Sequence, residues 1–172
     1  MPHASSKPLR IVLLDRKTLP DDIHFRAFSF AHELVQFDQT APDEVPERIK
    51  DADIVITNKA PVRGSAVASA PKLKLVAVAA TGTDVVDVTA CAQRGVIVSN
   101  IRNYAVNTVP EHTFALILAL RRSLLAYRNS VQAGRWQEAN QFCYLDFPIN
   151  DLAGSTLGII GELVAVDGKV LR

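Results

Sequence analysis

A doubly wound α/β fold on a parallel sheet is the architecture this sequence predicts, and three observations carry that prediction. Short strands that are apolar throughout recur along the first hundred residues. Helical stretches and long loops separate them, rather than the tight turns of hairpins. Two of the strands run out into loops carrying Asn, Thr, Gly or Pro, where open parallel sheets bind ligands.

Residues 9–15, Leu-Arg-Ile-Val-Leu-Leu-Asp, read as a buried strand ending in an acid. Residues 32–38 make a second, weaker strand in which polar residues interrupt the apolar ones. A short helix is expected over 43–50, because Val45 and Ile49 fall four apart on one face. Strands follow at 52–58, at 73–80 and at 96–98, with a Lys59-Ala60-Pro61 loop after the first of these. A helical stretch over 84–94 is stopped by Gly95. From Val109 a long helix is expected to run to a stop near Gly134. Its apolar face of Phe114, Ile117, Leu118, Leu120, Leu124 and Leu125 reads as core-packing. The segment 136–150 is aromatic and irregular, and packs either within the chain or across a dimer.

Composition narrows the partners. Of 172 residues, 48% are hydrophobic and 22% charged, the profile of a globular rather than a disordered chain. Nineteen basic and eighteen acidic residues leave a net charge of +1 without basic clusters, which argues against nucleic acid or an anionic membrane as partner. The apolar run from Phe114 to Leu120 is far short of the roughly 20 residues needed to cross a bilayer. The start, Met-Pro-His-Ala-Ser-Ser-Lys-Pro, has no apolar core and does not read as a secretory signal. Cys91 and Cys143 are isolated in sequence, so free thiols and a cytoplasmic location are expected.

Two loops sit where a parallel sheet places its ligands: Asn58-Lys59-Ala60-Pro61-Val62 and Thr81-Gly82-Thr83-Asp84. Gly82 permits a close backbone approach, and a helix opening after it would aim unpaired N–H groups at an anion such as a carboxylate. The same residues equally fit an ordinary turn with Asp84 or Thr83 as N-cap. Lys59 after a strand is read either as a ligand-facing cation or as a solvated side chain. Glu111 and His112 at the start of the long helix are read as structural or capping residues. His3, His24 and His32 show no metal-ligand spacing, so no metal site is expected. Residues 152–161, Leu-Ala-Gly-Ser-Thr-Leu-Gly-Ile-Ile-Gly, read as a turn entering a short strand that ends on Gly161. That is how a dinucleotide-binding unit begins, but Leu163 and Val166 stand where its next two glycines belong.

Taken in order, several motifs resemble the D-isomer-specific 2-hydroxyacid dehydrogenases, and most closely their bacterial glycerate dehydrogenase (hydroxypyruvate reductase) branch. They are Ile54-Val55-Ile56-Thr57-Asn58-Lys59, the Leu73–Asp87 stretch with its Ala-Ala-Thr-Gly-Thr-Asp, and Ile101-Arg102-Asn103-Tyr104. Thr108-Val109-Pro110-Glu111-His112-Thr113 and Gly154-Ser155-Thr156-Leu157-Gly158-Ile159-Ile160-Gly161 complete the series. The resemblance implies a flavodoxin-like substrate domain over 1–103, then the start of a Rossmann-type NAD(P)-binding domain with a dimerisation helix over 104–172. It implies hydride transfer between NAD or NADP and a small 2-oxo or 2-hydroxy acid, with hydroxypyruvate and D-glycerate as the pair. Thr81, Gly82 and Thr83 would hold the substrate carboxylate, Thr81 and Thr108 would lie near the nicotinamide end of the cofactor, and Gly161 would open the dinucleotide turn. A homodimer is implied as well. Family members run to nearly twice this length, and their catalytic arginine, glutamate and histidine match no residue here. The chain is therefore read as shortened, and the alternative to an enzyme is a non-catalytic binding or dimerising fragment.

Overall fold

The computed structural model describes residues 7–160. Its backbone divides into two compact units, Met1–Asn103 and Tyr104–Arg172.

The first unit is built on five parallel strands: β1 (Leu9–Leu13), β2 (His32–Gln36), β3 (Ile54–Thr57), β4 (Leu75–Val78) and β5 (Ile97–Asn100). Their spatial order, β2-β1-β3-β4-β5, is that of the flavodoxin-like doubly wound sheet. Register fixes which residues share a face, with Val12 opposite Val55 and Val55 opposite Val76. These three, with Leu14 and Val78, meet Val45 and Ile49 of α1 (Val45–Ile49), Val67 of α2 (Gly64–Ser69) and Cys91 of α3 (Val88–Gln93). Each such aliphatic side chain, withdrawn from water, contributes about 1.5–3 kcal/mol. On the opposite face Ile11 and Leu13 are buried, whereas Ile54, Ile56, Leu75 and Ala77 stay half-buried. Full coverage of both faces, which apolar-throughout strands predict, is thus reached at β1 and not at β3 or β4.

The elements are shorter than the sequence implies, except β5, which runs past the expected 96–98 to Asn100, and α3 differs at its start. Residues 84–87 form no helix, because Val62 pairs with Val86 in a parallel bridge and its N–H donates to the Val85 carbonyl at 2.9 Å. The N-cap is Asp87, whose carboxylate accepts from the Ala90 N–H at 2.9 Å, and neither Thr83 nor Asp84 fills that role. The helix α2 lacks a sequence signal, since Gly-Ser-Ala-Val-Ala-Ser offers only Ala66 and Val67 as buried residues.

The second unit, among the described residues, is helical: α4 (Thr108–Arg121), α5 (Leu124–Gln132) and α6 (Arg135–Ala139). The single long helix expected over 109–134 is broken at Ser123, which adopts left-handed backbone with φ 48°. A returning segment takes the groups that would continue the ladder. The Ser123 hydroxyl donates to the Pro148 carbonyl at 2.7 Å, and the Asn150 N–H donates to the Arg121 carbonyl at 2.8 Å. The aromatic segment folds back within its own unit. Tyr144 and Phe147 pack on Tyr127, and Tyr144 also meets Trp136 edge-on. The Tyr127 hydroxyl donates to the Phe147 carbonyl at 2.8 Å, and Arg135 pairs with Asp146 at 2.7 Å.

Two expectations fail here. None of the three helices buries a residue, so the face of Phe114, Leu118, Leu120, Leu124 and Leu125 does not pack into a core. Residues 157–160 form no strand, and Ile159 and Ile160 are exposed. An isolated strand has no ladder partner, and the second unit has no other strand among its described residues. Gly161, Leu163 and Val166 lie outside the described residues. No helix among the described residues is long and apolar enough to cross a membrane.

Candidate functional site

The carboxyl edge of the sheet carries both candidate loops, and they differ in what their backbone N–H groups do. At the first, the chain supplies its own anion. Asp15, just past β1 and only 4% exposed, turns its carboxylate onto three successive N–H groups. Asn58 donates to both oxygens at 3.0 Å, Lys59 donates at 2.5 Å and Ala60 at 2.8 Å. The Thr57 hydroxyl adds a bond to the Ala60 carbonyl at 2.7 Å. A carboxylate accepting several N–H bonds is well compensated for its burial. This loop is therefore closed to an external anion at its backbone, and Lys59 remains an exposed side chain on a fixed base.

The second loop is open. Among the described residues, the N–H groups of Thr81, Gly82 and Thr83 donate to no protein acceptor. Thr81 and Gly82 are exposed and Thr83 is half-buried. The loop is nevertheless held from both sides. The Asn100 amide at the end of β5 donates to the Thr81 carbonyl at 2.7 Å, and Val86 closes a turn onto the Thr83 carbonyl at 2.9 Å. The Arg63 guanidinium donates to the Asp84 carbonyl at 2.8 Å. Gly82 does not take left-handed backbone, and a Cβ there would come within 2.9 Å only of the Asp84 carboxylate, the end of a flexible side chain that can give way. Because α3 begins only at Val88, no helix dipole aids this loop, and its anion-binding capacity rests on the row of N–H groups.

The remaining candidates lie apart in sequence from this loop. Thr108 is the first residue of α4, exposed, in the second unit. Glu111 and His112 occupy exposed positions in the first turns of α4, and neither side chain caps the helix. A carboxylate at Glu111 still suits the positive end of the helix. Among the described residues no group of His, Cys, Asp and Glu could hold a metal. Both cysteines are free, and burial together with the nearby Asp87 pushes the Cys91 thiol up.

Sequence reasoning missed Asp15. Its signal was an acid closing an apolar strand, which marks many parallel strands and names no partner. A charged groove of about 450 Å3 lies at the opposite, amino edge of the sheet, lined in part by Arg10, Glu33, Asp51, Asp53, Lys72 and Lys74. Its charges satisfy one another, Arg10 with Glu33, Lys72 with Asp51 and Lys74 with Asp53. Burial works against ionised Asp53. The Arg10 N–H and the Lys74 ammonium, each at 3.0 Å, nonetheless hold its carboxyl below the usual carboxylate range.

Comparison with known proteins gives this geometry a context. Residues 12–164 match the family model described as D-isomer specific 2-hydroxyacid dehydrogenase, catalytic domain. A glycerate dehydrogenase of Methylorubrum extorquens is 52% identical over 153 residues, which are 88% of this chain and 48% of that protein. A hydroxypyruvate reductase of Blautia hydrogenotrophica is 34% identical over 170 residues, 95% of this chain and 53% of the relative. The chain thus spans about half the length of the curated relatives it matches. Among solved structures, an NADPH-dependent glyoxylate/hydroxypyruvate reductase of Sinorhizobium meliloti, in complex with NADP and malonate, aligns with a TM-score of 0.63. It covers 90% of this chain and 46% of its own at 23% identity, a likeness of fold. With a family model spanning nearly the whole chain, the protein belongs to the D-isomer specific 2-hydroxyacid dehydrogenase family.

Proposed function

We propose that the whole protein is an NAD(P)-dependent oxidoreductase transferring hydride between NAD(P)H and a small 2-oxo or 2-hydroxy acid, with hydroxypyruvate and D-glycerate as the pair. The observation that carries the reading is the row of unclaimed N–H groups at Thr81, Gly82 and Thr83, in a chain of this family. Three successive N–H groups without a protein acceptor, at the carboxyl edge of a parallel sheet, suit a carboxylate. The named activities of the two relatives above support a C3 acid. In this reading residues 1–103 are the substrate domain and residues 104–172 open the cofactor domain.

The cofactor itself fits only in part. Thr81 and Thr108 remain the residues assigned to the nicotinamide end of NAD or NADP, and Gly161 to the first turn. Beyond it the sequence has Leu163 and Val166 where the dinucleotide fingerprint has its next two glycines. Homodimerisation through the exposed apolar face of α4 and α5, and a cytoplasmic location, belong to the same reading.

The alternative, that the 172-residue polypeptide is a non-catalytic binding or dimerising fragment, is favoured by Leu163 and Val166. Both readings are tested on the purified chain by calorimetry with D-glycerate and by hydroxypyruvate-dependent NADH and NADPH oxidation. Saturable D-glycerate binding that is weakened by Thr83→Pro, which deletes one N–H, is the expected result. Absence of binding contradicts the carboxylate site, and robust turnover contradicts the fragment.

A further inference from the structure

We infer that Asp15, a residue outside the proposed carboxylate loop, is the positioning residue that holds that loop in its binding shape. The inference rests on the carboxylate-site reading above and deepens it. Among the described residues Asp15 makes no hydrogen bond to Thr81–Thr83, and its influence passes through the Asn58–Val62 segment. Three N–H bonded residues, Asn58, Lys59 and Ala60, are gathered on one buried carboxylate. The backbone they fix leads directly into Pro61 and Val62. Val62 is then stitched to the far side of the carboxylate loop: its N–H donates to the Val85 carbonyl, and its carbonyl accepts from the Asp87 N–H, each at 2.9 Å. On the near side, the Ala79 N–H donates to the Thr57 carbonyl at 2.8 Å.

Both ends of the Ala79–Asp87 stretch are therefore anchored to the segment that Asp15 gathers. Between these anchors the N–H groups of Thr81, Gly82 and Thr83 make no bond among the described residues, so the loop's shape rests on the anchors together with the Val86–Thr83 turn and the Asn100 amide on the Thr81 carbonyl. Preorganised donors bind an anion without the cost of ordering them on contact. The same carboxylate removes a competing site, since without it the N–H groups of Asn58, Lys59 and Ala60 would form an anion-binding concavity of their own.

The test uses the full chain, labelled with 15N and titrated with D-glycerate, following the Thr81, Gly82 and Thr83 amides. In Asp15→Asn the neutral amide turns an N–H2 group toward backbone donors, and affinity should fall by about fivefold or more while the β3 and β4 amides keep their positions. Thr57→Val, which removes only the hydroxyl bond to Ala60, should weaken binding less and covers the case in which Asp15→Asn does not fold. Ile49→Val destabilises the same core from α1 without touching either loop, and should leave affinity unchanged. Wild-type affinity in Asp15→Asn, or in Thr57→Val should that be the only folded variant of the pair, overturns the inference. So does an equal loss in Ile49→Val, since that would make the effect one of general stability. If the wild-type amides of Thr81–Thr83 do not respond to D-glycerate at all, the carboxylate-site reading fails first and this inference with it.

Discussion

Val12, Val55 and Val76 in the first unit have no exposed surface, whereas Leu120 and Leu125 in the second are 78% and 67% exposed. Both sets are aliphatic side chains on regular elements. What separates them is whether the chain brings a second apolar layer to meet the first. In the first unit, α1, α2 and α3 supply that layer against the sheet. In the second, the aromatic segment covers Tyr127 and leaves most of the α4 and α5 face uncovered. Hydrophobic pattern marks where burial is favourable, and topology decides whether it happens.

The sharpest way to break this contrast is to make the same truncation in each unit. Leu13→Ala, in β1, should cost about 2–5 kcal/mol in a denaturation midpoint. Leu120→Ala should cost less than about 0.5 kcal/mol in a dilute sample, because little area is lost. Equal losses would mean that the α4 face is buried in solution. Next in size, Asp87→Ala removes the N-cap of α3 and should lower the stability of the first unit by about 1 kcal/mol by the same measurement.

How far these features were legible follows from where their causes lie. The strands were readable because Ile-Val-Leu-Leu and Ile-Val-Ile-Thr specify buried parallel strands almost locally. Helix α3 began four residues later than its sequence implied, since the Val62–Val86 bridge is a contact between residues 24 apart. The helix break at Ser123 was hidden for the same reason, being fixed by Pro148 and Asn150. Of the two candidate loops, spacing alone ranked neither. Only the long-range partner Asp15 shows that one is filled and the other open. The core role expected for α4 failed because amphipathicity reports a face that needs a cover, and does not name it.

Smaller effects refine the comparison. Tyr127→Phe deletes the hydroxyl that both donates to the Phe147 carbonyl and accepts its N–H, and should destabilise the fold-back by about 1 kcal/mol. A selective loss of near-ultraviolet aromatic signal, with the first unit's amide spectrum intact, would register it. Cysteine chemistry gives a further reading. Burial raises the Cys91 thiol, so the folded form holds its proton more tightly than the unfolded chain does. Its contribution to stability is complete below the ordinary thiol pKa and is lost as pH rises through the raised one, so stability should decline above about pH 8.5. Cys91→Ala should flatten that decline in a pH series of denaturation midpoints. A slope unchanged by the substitution would point to other groups.

The contrast between the two units is tested most directly by amide hydrogen exchange across a dilution series of the 172-residue chain. Buried-strand amides at Ile11–Leu13, Val55–Thr57 and Val76–Val78 should exchange slowly at every concentration. Amides of α4 and α5 should exchange fast in dilute samples and become protected as concentration rises, as a second copy covers the exposed leucines. Protection of α4 and α5 that equals the sheet's and ignores concentration would contradict the account.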